Sequence, residues 1–141
     1  MKLLVMKHAV CQLSIVPVRK EPSDKSEMVN QLLFGDPVKI LEKRSKWSRV
    51  RMSFDRYEGW VDNKQIHQID KSVYEELVLN EGKILTDEMV QLVEPEGDSA
   101  FPVLFGSSLY NFINGSTQLN GKAYKINCAV RKFRKTPNRK Q

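Results

Sequence analysis

The chain has 141 residues, 40% of them hydrophobic and 28% charged, which excludes a disordered polypeptide by composition. No apolar run approaches the roughly 20 residues of a membrane helix. The net charge of +6 is unevenly placed: residues 1–69 carry 13 Lys and Arg against 8 Asp and Glu, residues 70–130 carry 4 against 9, and residues 131–141 carry 6 and no acid. Much of the positive excess therefore sits in a tail instead of over a folded face, so neither a nucleic-acid nor a membrane partner is expected.

In chain order, the opening MKLLVMKHAV has an apolar stretch too short for the roughly 7 to 15 residues of a secretion signal, and a cytoplasmic protein is expected. AVCQLSIV alternates as one strand over residues 9–16. Period-two spacing puts Cys11 in phase with Leu13 and Ile15, and Cys128 in phase with Ile126 and Val130, so both read as free core thiols of a reducing compartment. His8, three residues from Cys11, falls on the opposite strand face and cannot serve as its base.

PVRKEPSDKSE reads as a long loop, in which Arg19 with Glu21 and Asp24 offers an ion pair to hold it. MVNQLLF, VKILEK, WSRVRMS and EGWVD follow as strands separated by turns at Gly35-Asp36-Pro37 and Asp55-Arg56. Five short strands bury their faces by closing into a small barrel. Val73, Tyr74, Leu77 and Val78 recur at helical spacing, with Ser72 and Glu75 as a capping box. Strands resume as EMVQLVE, AFPVLFG, SLYNF and LNGKAYKINCAV, with hairpin dipeptides at Asn114-Gly115 and Asn120-Gly121.

Leu33-Phe34-Gly35 before Val38 is echoed by Leu104-Phe105-Gly106 before Leu109. The expected fold is all-β, two tandem small SH3-like barrels joined by a short helical linker: residues 9–69, linker 70–80, residues 81–130, then a basic tail or connector over 131–141. Phe34 and Phe105 are expected to fill equivalent core corners of the two.

The series Arg19-Lys20-Glu21-Pro22-Ser23, Leu32-Leu33-Phe34-Gly35, Trp47-Ser48-Arg49-Val50 and Gly59-Trp60-Val61 resembles the bacterial SH3-like domain. More narrowly, CQLSIVPVRKEPSDKSEMVNQLLFGD and WSRVRMSFDRYEGWVDNKQ, with FPVLFGSSL and LNGKAYKIN in the second half, resemble the N-terminal region of NlpC-type cysteine peptidases. In that family paired SH3-like domains precede a catalytic domain that cleaves the bond between γ-D-glutamate and the diamino acid of cell-wall (murein) peptides. The family's Asp-Cys-Ser-Gly-type motif is absent, and no histidine follows Cys128. The resemblance therefore implies a non-catalytic substrate-recognition region with an NlpC-type catalytic domain C-terminal to it. The alternative is a stand-alone adaptor for an extended or Pro-rich partner.

Asp55, Tyr57, Glu58 and Asp62 place acids and a ring within a half that is otherwise basic. A carboxylate there can take the free amine of a peptide through a charge-assisted hydrogen bond, and the resemblance assigns the first SH3-like domain that role. Asp55, Tyr57, Glu58 and Trp60 are thus the candidate ligand residues, with Trp47 and Trp60 also suited to rim packing. Two histidines and two distant cysteines give no metal-ligand spacing, and no phosphate-binding glycine loop is present. No cofactor is expected.

Overall fold

The computed structural model describes residues 7–94, 96, 99–126 and 134–135. The strands β1 Lys7–Val10, β2 Ile15–Arg19, β3 Met28–Leu33, β4 Pro37–Lys43, β5 Trp47–Met52 and β6 Glu58–Asp62 are followed by a 3₁₀ turn, Asn63–Gln65, and β7 His67–Ile69. Helix α1 Lys71–Leu79 leads to β8 Ile84–Leu85, β9 Val90–Val93, β10 Ala100–Val103, β11 Ser108–Leu109, β12 Ser116–Leu119, β13 Lys122–Ile126 and β14 Arg134–Lys135. The fold is all-β, with every strand pair antiparallel.

The first seven strands form one sheet in the order β3-β2-β6-β5-β4-β1-β7. The later strands form two sheets, β10-β9-β13-β12 and β11-β8-β14. Read end to end, they repeat the first order with a break between β12 and β11. Across that break Gln118 N–H donates to Tyr110 O at 3.0 Å, and Thr117 Oγ1 donates to the same carbonyl at 2.7 Å.

Local chemistry changes three expectations. The strand expected over residues 9–16 is split, because Cys11 turns from its sheet neighbours to the β3–β4 turn. Its N–H donates to Asp36 O at 3.0 Å and its carbonyl accepts from Gly35 N–H at 2.8 Å. Asp70 occupies the N-cap position of α1 and makes no side-chain cap bond, so Ser72 lies inside the helix and not at its cap. No Arg19 ion pair holds the β2–β3 loop among the described residues; Arg19 Nη1 donates instead to Ser26 O at 3.0 Å. The two Asn-Gly turns do adopt positive φ, 54° and 76° at residues 114–115 and 51° and 78° at 120–121, as hairpin turns of this kind require. Cys128 lies outside the described residues.

Two apolar clusters result. Ala9, Cys11, Val16, Val18, Leu32, Val38, Ile40, Val50, Met52 and Val61 fill the interior of the first half. The second cluster joins Leu92, Val103, Leu109, Tyr110, Leu119 and Tyr124 to α1 through Tyr74 and Leu77, and takes in Val10, Phe34 and Ile69 from the first half. Alternation along β1 explains the sharing: Ala9 faces one cluster and Val10 the other. Phe34 thus packs not in its own half but in the seam, 5.2 Å edge-on to Tyr124 and 5.8 Å from Phe101. Phe105 corrects the expectation of equivalent core corners. It is 71% exposed, because the seam that buries Phe34 has no counterpart beside Phe105 among the described residues.

A polar clasp flanks the seam. Gln12 Nε2 donates to Tyr124 Oη at 2.9 Å and Asn120 Nδ2 donates to Gln12 Oε1 at 3.2 Å. Nearby, His8 stacks on Tyr74 with centroids 4.4 Å apart. Burial holds His8 below its ordinary value of 6.5, reinforced by Lys39 and Lys71 and opposed by Glu75. His67, on the exposed side of β7, is lowered by partial desolvation and by Lys122.

A histidine that stays neutral in the folded state stabilises fully above its unfolded pKa. Below it the unfolded chain binds more protons, so stability falls with pH until the folded histidine also titrates. Urea midpoints are therefore expected to be level above about pH 6.5 and lower at about pH 5.5. The drop should shrink in a His8→Gln, His67→Gln double variant. A midpoint that rises on acidification would contradict this placement of the histidines.

Candidate binding pocket on the first half

The β5–β6 hairpin presents the candidates from the sequence, but its charges are already engaged. Glu58 Oε1 accepts from Arg49 Nη1 at 2.9 Å, and Glu58 Oε2 accepts from Arg51 Nε at 3.0 Å and Nη2 at 2.9 Å. Arg49 also lies 3.9 Å from Glu42, which accepts from Arg44 Nε at 2.8 Å. An arriving ammonium would compete with two guanidinium groups for Glu58. Asp55 Oδ1 accepts from Tyr57 N–H at 3.0 Å, closing a local turn in which Arg56 has a φ of 61°. Tyr57 is exposed, whereas Trp60 is buried with the Arg44 guanidinium 4.6 Å from its ring centroid.

Three other loops converge to form a cavity of about 190 Å³ lined by Asp24, Ser45, Lys46, Trp47, Asp62, Asn63 and Lys64. Asp24 stands near the tip of the β2–β3 loop, Ser45 and Lys46 connect β4 to β5, and the 3₁₀ turn supplies Asn63 and Lys64. Trp47 opens β5 opposite Asp62 of β6. Two acidic residues therefore line the same cavity as a tryptophan.

Backbone-directed hydrogen bonds hold these walls. Asn63 N–H donates to Lys46 O at 2.9 Å, its Nδ2 donates to Arg44 O at 2.8 Å, and Ser48 Oγ donates to its Oδ1. Asp62 Oδ1 accepts from Lys64 N–H at 2.9 Å, capping the 3₁₀ turn. The β2–β3 loop is set by Lys20 N–H to Glu27 O at 2.9 Å and Glu21 N–H to Ser26 Oγ at 2.8 Å. Trp60 acts at one remove, since Arg44 joins its ring to the loop that Asn63 fastens. Asp24 makes no hydrogen bond or ion pair among the described residues.

A second cavity, of about 200 Å³, lies at the seam between Pro37, Phe54, Val78, Lys83 and Tyr110. Its one carboxylate, Asp36, accepts from Leu33 N–H at 2.9 Å. Of these two cavities, the first alone brings two acidic residues together with a tryptophan. The sequence offered Asp62 and Trp47 individually. Their meeting with Asp24 depends on barrel closure, which no local spacing reports.

Among the described residues no group of His, Cys, Asp and Glu is placed to hold a metal ion. Cys11 is buried, its thiol donates to Leu13 O at 3.3 Å, and burial pushes it up to about 12. A thiol so held has almost no thiolate near neutrality. No helix among the described residues is long and apolar enough to cross a membrane.

Every element of this pocket lies within one matched segment. Residues 18–66 match the family of the bacterial dipeptidyl-peptidase Sh3 domain. Among solved structures, an NlpC/P60 family protein from Bacillus cereus ATCC 10987 superposes with a TM-score of 0.67 at 15% identity, covering 92% of this chain and 57% of that one. The likeness shows the fold, an SH3-like one, and this chain spans 57% of the length of that protein. No curated protein matches. The domain match and the shared fold support a peptidase-associated binding domain.

Proposed function

We propose that the chain is a tandem pair of SH3-like units serving a cell-wall-peptide cysteine peptidase of the NlpC type, and that it holds the free amine of the peptide in the Asp24–Trp47–Asp62 pocket. The observation that carries this reading is that Asp24, Asp62 and Trp47 line one cavity of about 190 Å³. An ammonium gains charge-assisted hydrogen bonds from the carboxylates and a cation–π contact from the indole. Lys46 and Lys64 on the same rim suit the carboxylates that such a peptide also bears. The repeated strand order supports the tandem arrangement. The hairpin supports this site: Trp60 steadies Arg44, and Glu58, with Asp55 and Tyr57 at the turn, orders the strands that carry Trp47 and Asp62.

Calorimetry with a free-amine γ-D-glutamyl-diamino-acid peptide tests the reading. Asp24→Asn is expected to weaken binding by about 1.5 to 3 kcal/mol, the range for a hydrogen bond to a charged group. N-acetylation of the peptide should cost a similar amount, and the two losses should not add. Equal affinity for free and acetylated peptides would contradict amine recognition. It would favour the second reading, an adaptor for Pro-rich segments, since aromatic-lined SH3 grooves take such ligands without a free amine.

A further inference from the structure

Two turns of the chain are built alike. Asp36 N–H donates to Leu33 O at 3.0 Å, and Ser107 N–H donates to Leu104 O at 3.1 Å. Gly35 N–H donates to Cys11 O at 2.8 Å, and Gly106 N–H to Thr86 O at 2.7 Å. Cys11 N–H returns a bond to Asp36 O, and Thr86 N–H to Ser107 O, both at 3.0 Å. The glycines have φ of 89° and 91°.

Their surroundings differ. The second half seats the first turn by three contacts. Ser108 N–H donates to Phe34 O at 2.9 Å, Tyr110 Oη donates to Gly35 O at 2.7 Å, and the Phe34 ring enters the aromatic socket of Phe101 and Tyr124. The second turn presents the same three groups without partners among the described residues. Among the described residues Phe105 O and Gly106 O accept no hydrogen bond, and the Phe105 ring is 71% exposed. A lone exposed phenylalanine would need no explanation. A docking turn matched in its backbone hydrogen bonds and glycine conformation by one already seated in this chain does.

We propose that the turn Leu104–Ser107 is a docking turn for a catalytic domain of the NlpC/P60 type, which receives Phe105 in an apolar, aromatic-edged socket and donates a strand-edge N–H to Phe105 O. The proposal rests on the reading that this chain serves such a domain. The solved relative is longer than the region this chain covers, leaving 43% of that protein outside the 57% matched. A second copy is a poor occupant, because the Phe101–Tyr124 socket of each copy already holds its own Phe34. Repeat units that stack through nearest-neighbour faces leave the last such face for whatever comes next.

The test titrates this chain with the part of the Bacillus cereus NlpC/P60 protein that it does not cover, expressed alone. Saturable binding is expected, weakened at least about tenfold by Phe105→Ser, as for loss of an aromatic anchor. Phe54→Ser, at another exposed phenylalanine (53%), should leave binding unchanged, and both variants should keep the wild-type melting temperature. Binding that survives Phe105→Ser would overturn the docking turn and leave the peptidase partnership standing. Absence of binding by the wild-type chain would overturn both. Self-association that Phe105→Ser abolishes would make the occupant a second copy and overturn the proposal.

Discussion

Phe34→Ala is expected to destabilise the chain by about 3 to 5 kcal/mol, the cost of emptying a fully packed aromatic site. Phe105→Ala is expected to cost less than about 0.5 kcal/mol, as for an exposed position. The contrast follows from the seam: Phe34 is fully buried against rings of the second half, and Phe105 is not. Because the Phe34 ring joins first-half strands to the second core, its loss should lower the urea midpoint seen by both tryptophans, which lie in the first half, and by far-ultraviolet circular dichroism of the whole chain. Equal losses at the two positions would show that each phenylalanine closes its own half. The seam would then carry little of the stability.

Gly35→Ala is the second large effect. At φ 89° an L side chain is strained by about 1 to 3 kcal/mol, and the added Cβ would also run into the Ser108 carbonyl and lie 3.0 Å from Ser108 Cβ. Ser108 cannot yield without breaking the bond from its N–H to Phe34 O. Gly106→Ala has the same backbone strain at φ 91°, but its Cβ would meet only Leu33 Cδ1 at 3.4 Å. The Gly35 variant should therefore be the less stable of the two by denaturant unfolding. A Gly106 variant as unstable as the Gly35 one would mean that strain alone decides, and that the seam accommodates the methyl.

What the sequence made legible was local. Alternation placed β4, β5, β6 and β13, and the Asn-Gly dipeptides marked the turns on either side of β12 because positive φ is cheap only for such residues. Pro17, Val18 and Arg19, expected in a loop, belong instead to β2. Cys11 is buried as expected, but Leu13 and Ile15, placed in phase with it, are exposed, because the strand breaks at Cys11. The short strands β7 and β8 escaped, since two or three residues cannot show a period and their pairing is decided by neighbours distant in the chain. Phe105 was misjudged for a related reason. The three-residue echo with Phe34 is real in backbone conformation, but burial depends on what lies opposite, and only the first turn has the second half to lean on. At the candidate site, Asp55 and Glu58 were conspicuous as acids in a basic half. Arg49 and Arg51, the partners of Glu58, stand across a hairpin, so its neutralisation appears only once the strands are in register. Asp24, distant from Trp47 in sequence, reaches the pocket by barrel closure.

Mapping ¹⁵N–¹H chemical shifts as a free-amine γ-D-glutamyl-diamino-acid peptide is added tests the central claim most directly, because it locates the ligand without presuming its contacts. The amides of Asp24, Lys46, Trp47, Asn63 and Lys64 and the Trp47 indole N–H are expected to move together and to saturate at one concentration. They should stay still when the N-acetylated peptide is used. Shifts confined to Asp55, Arg56, Tyr57 and Glu58 would place the ligand on the hairpin and contradict the pocket assigned here.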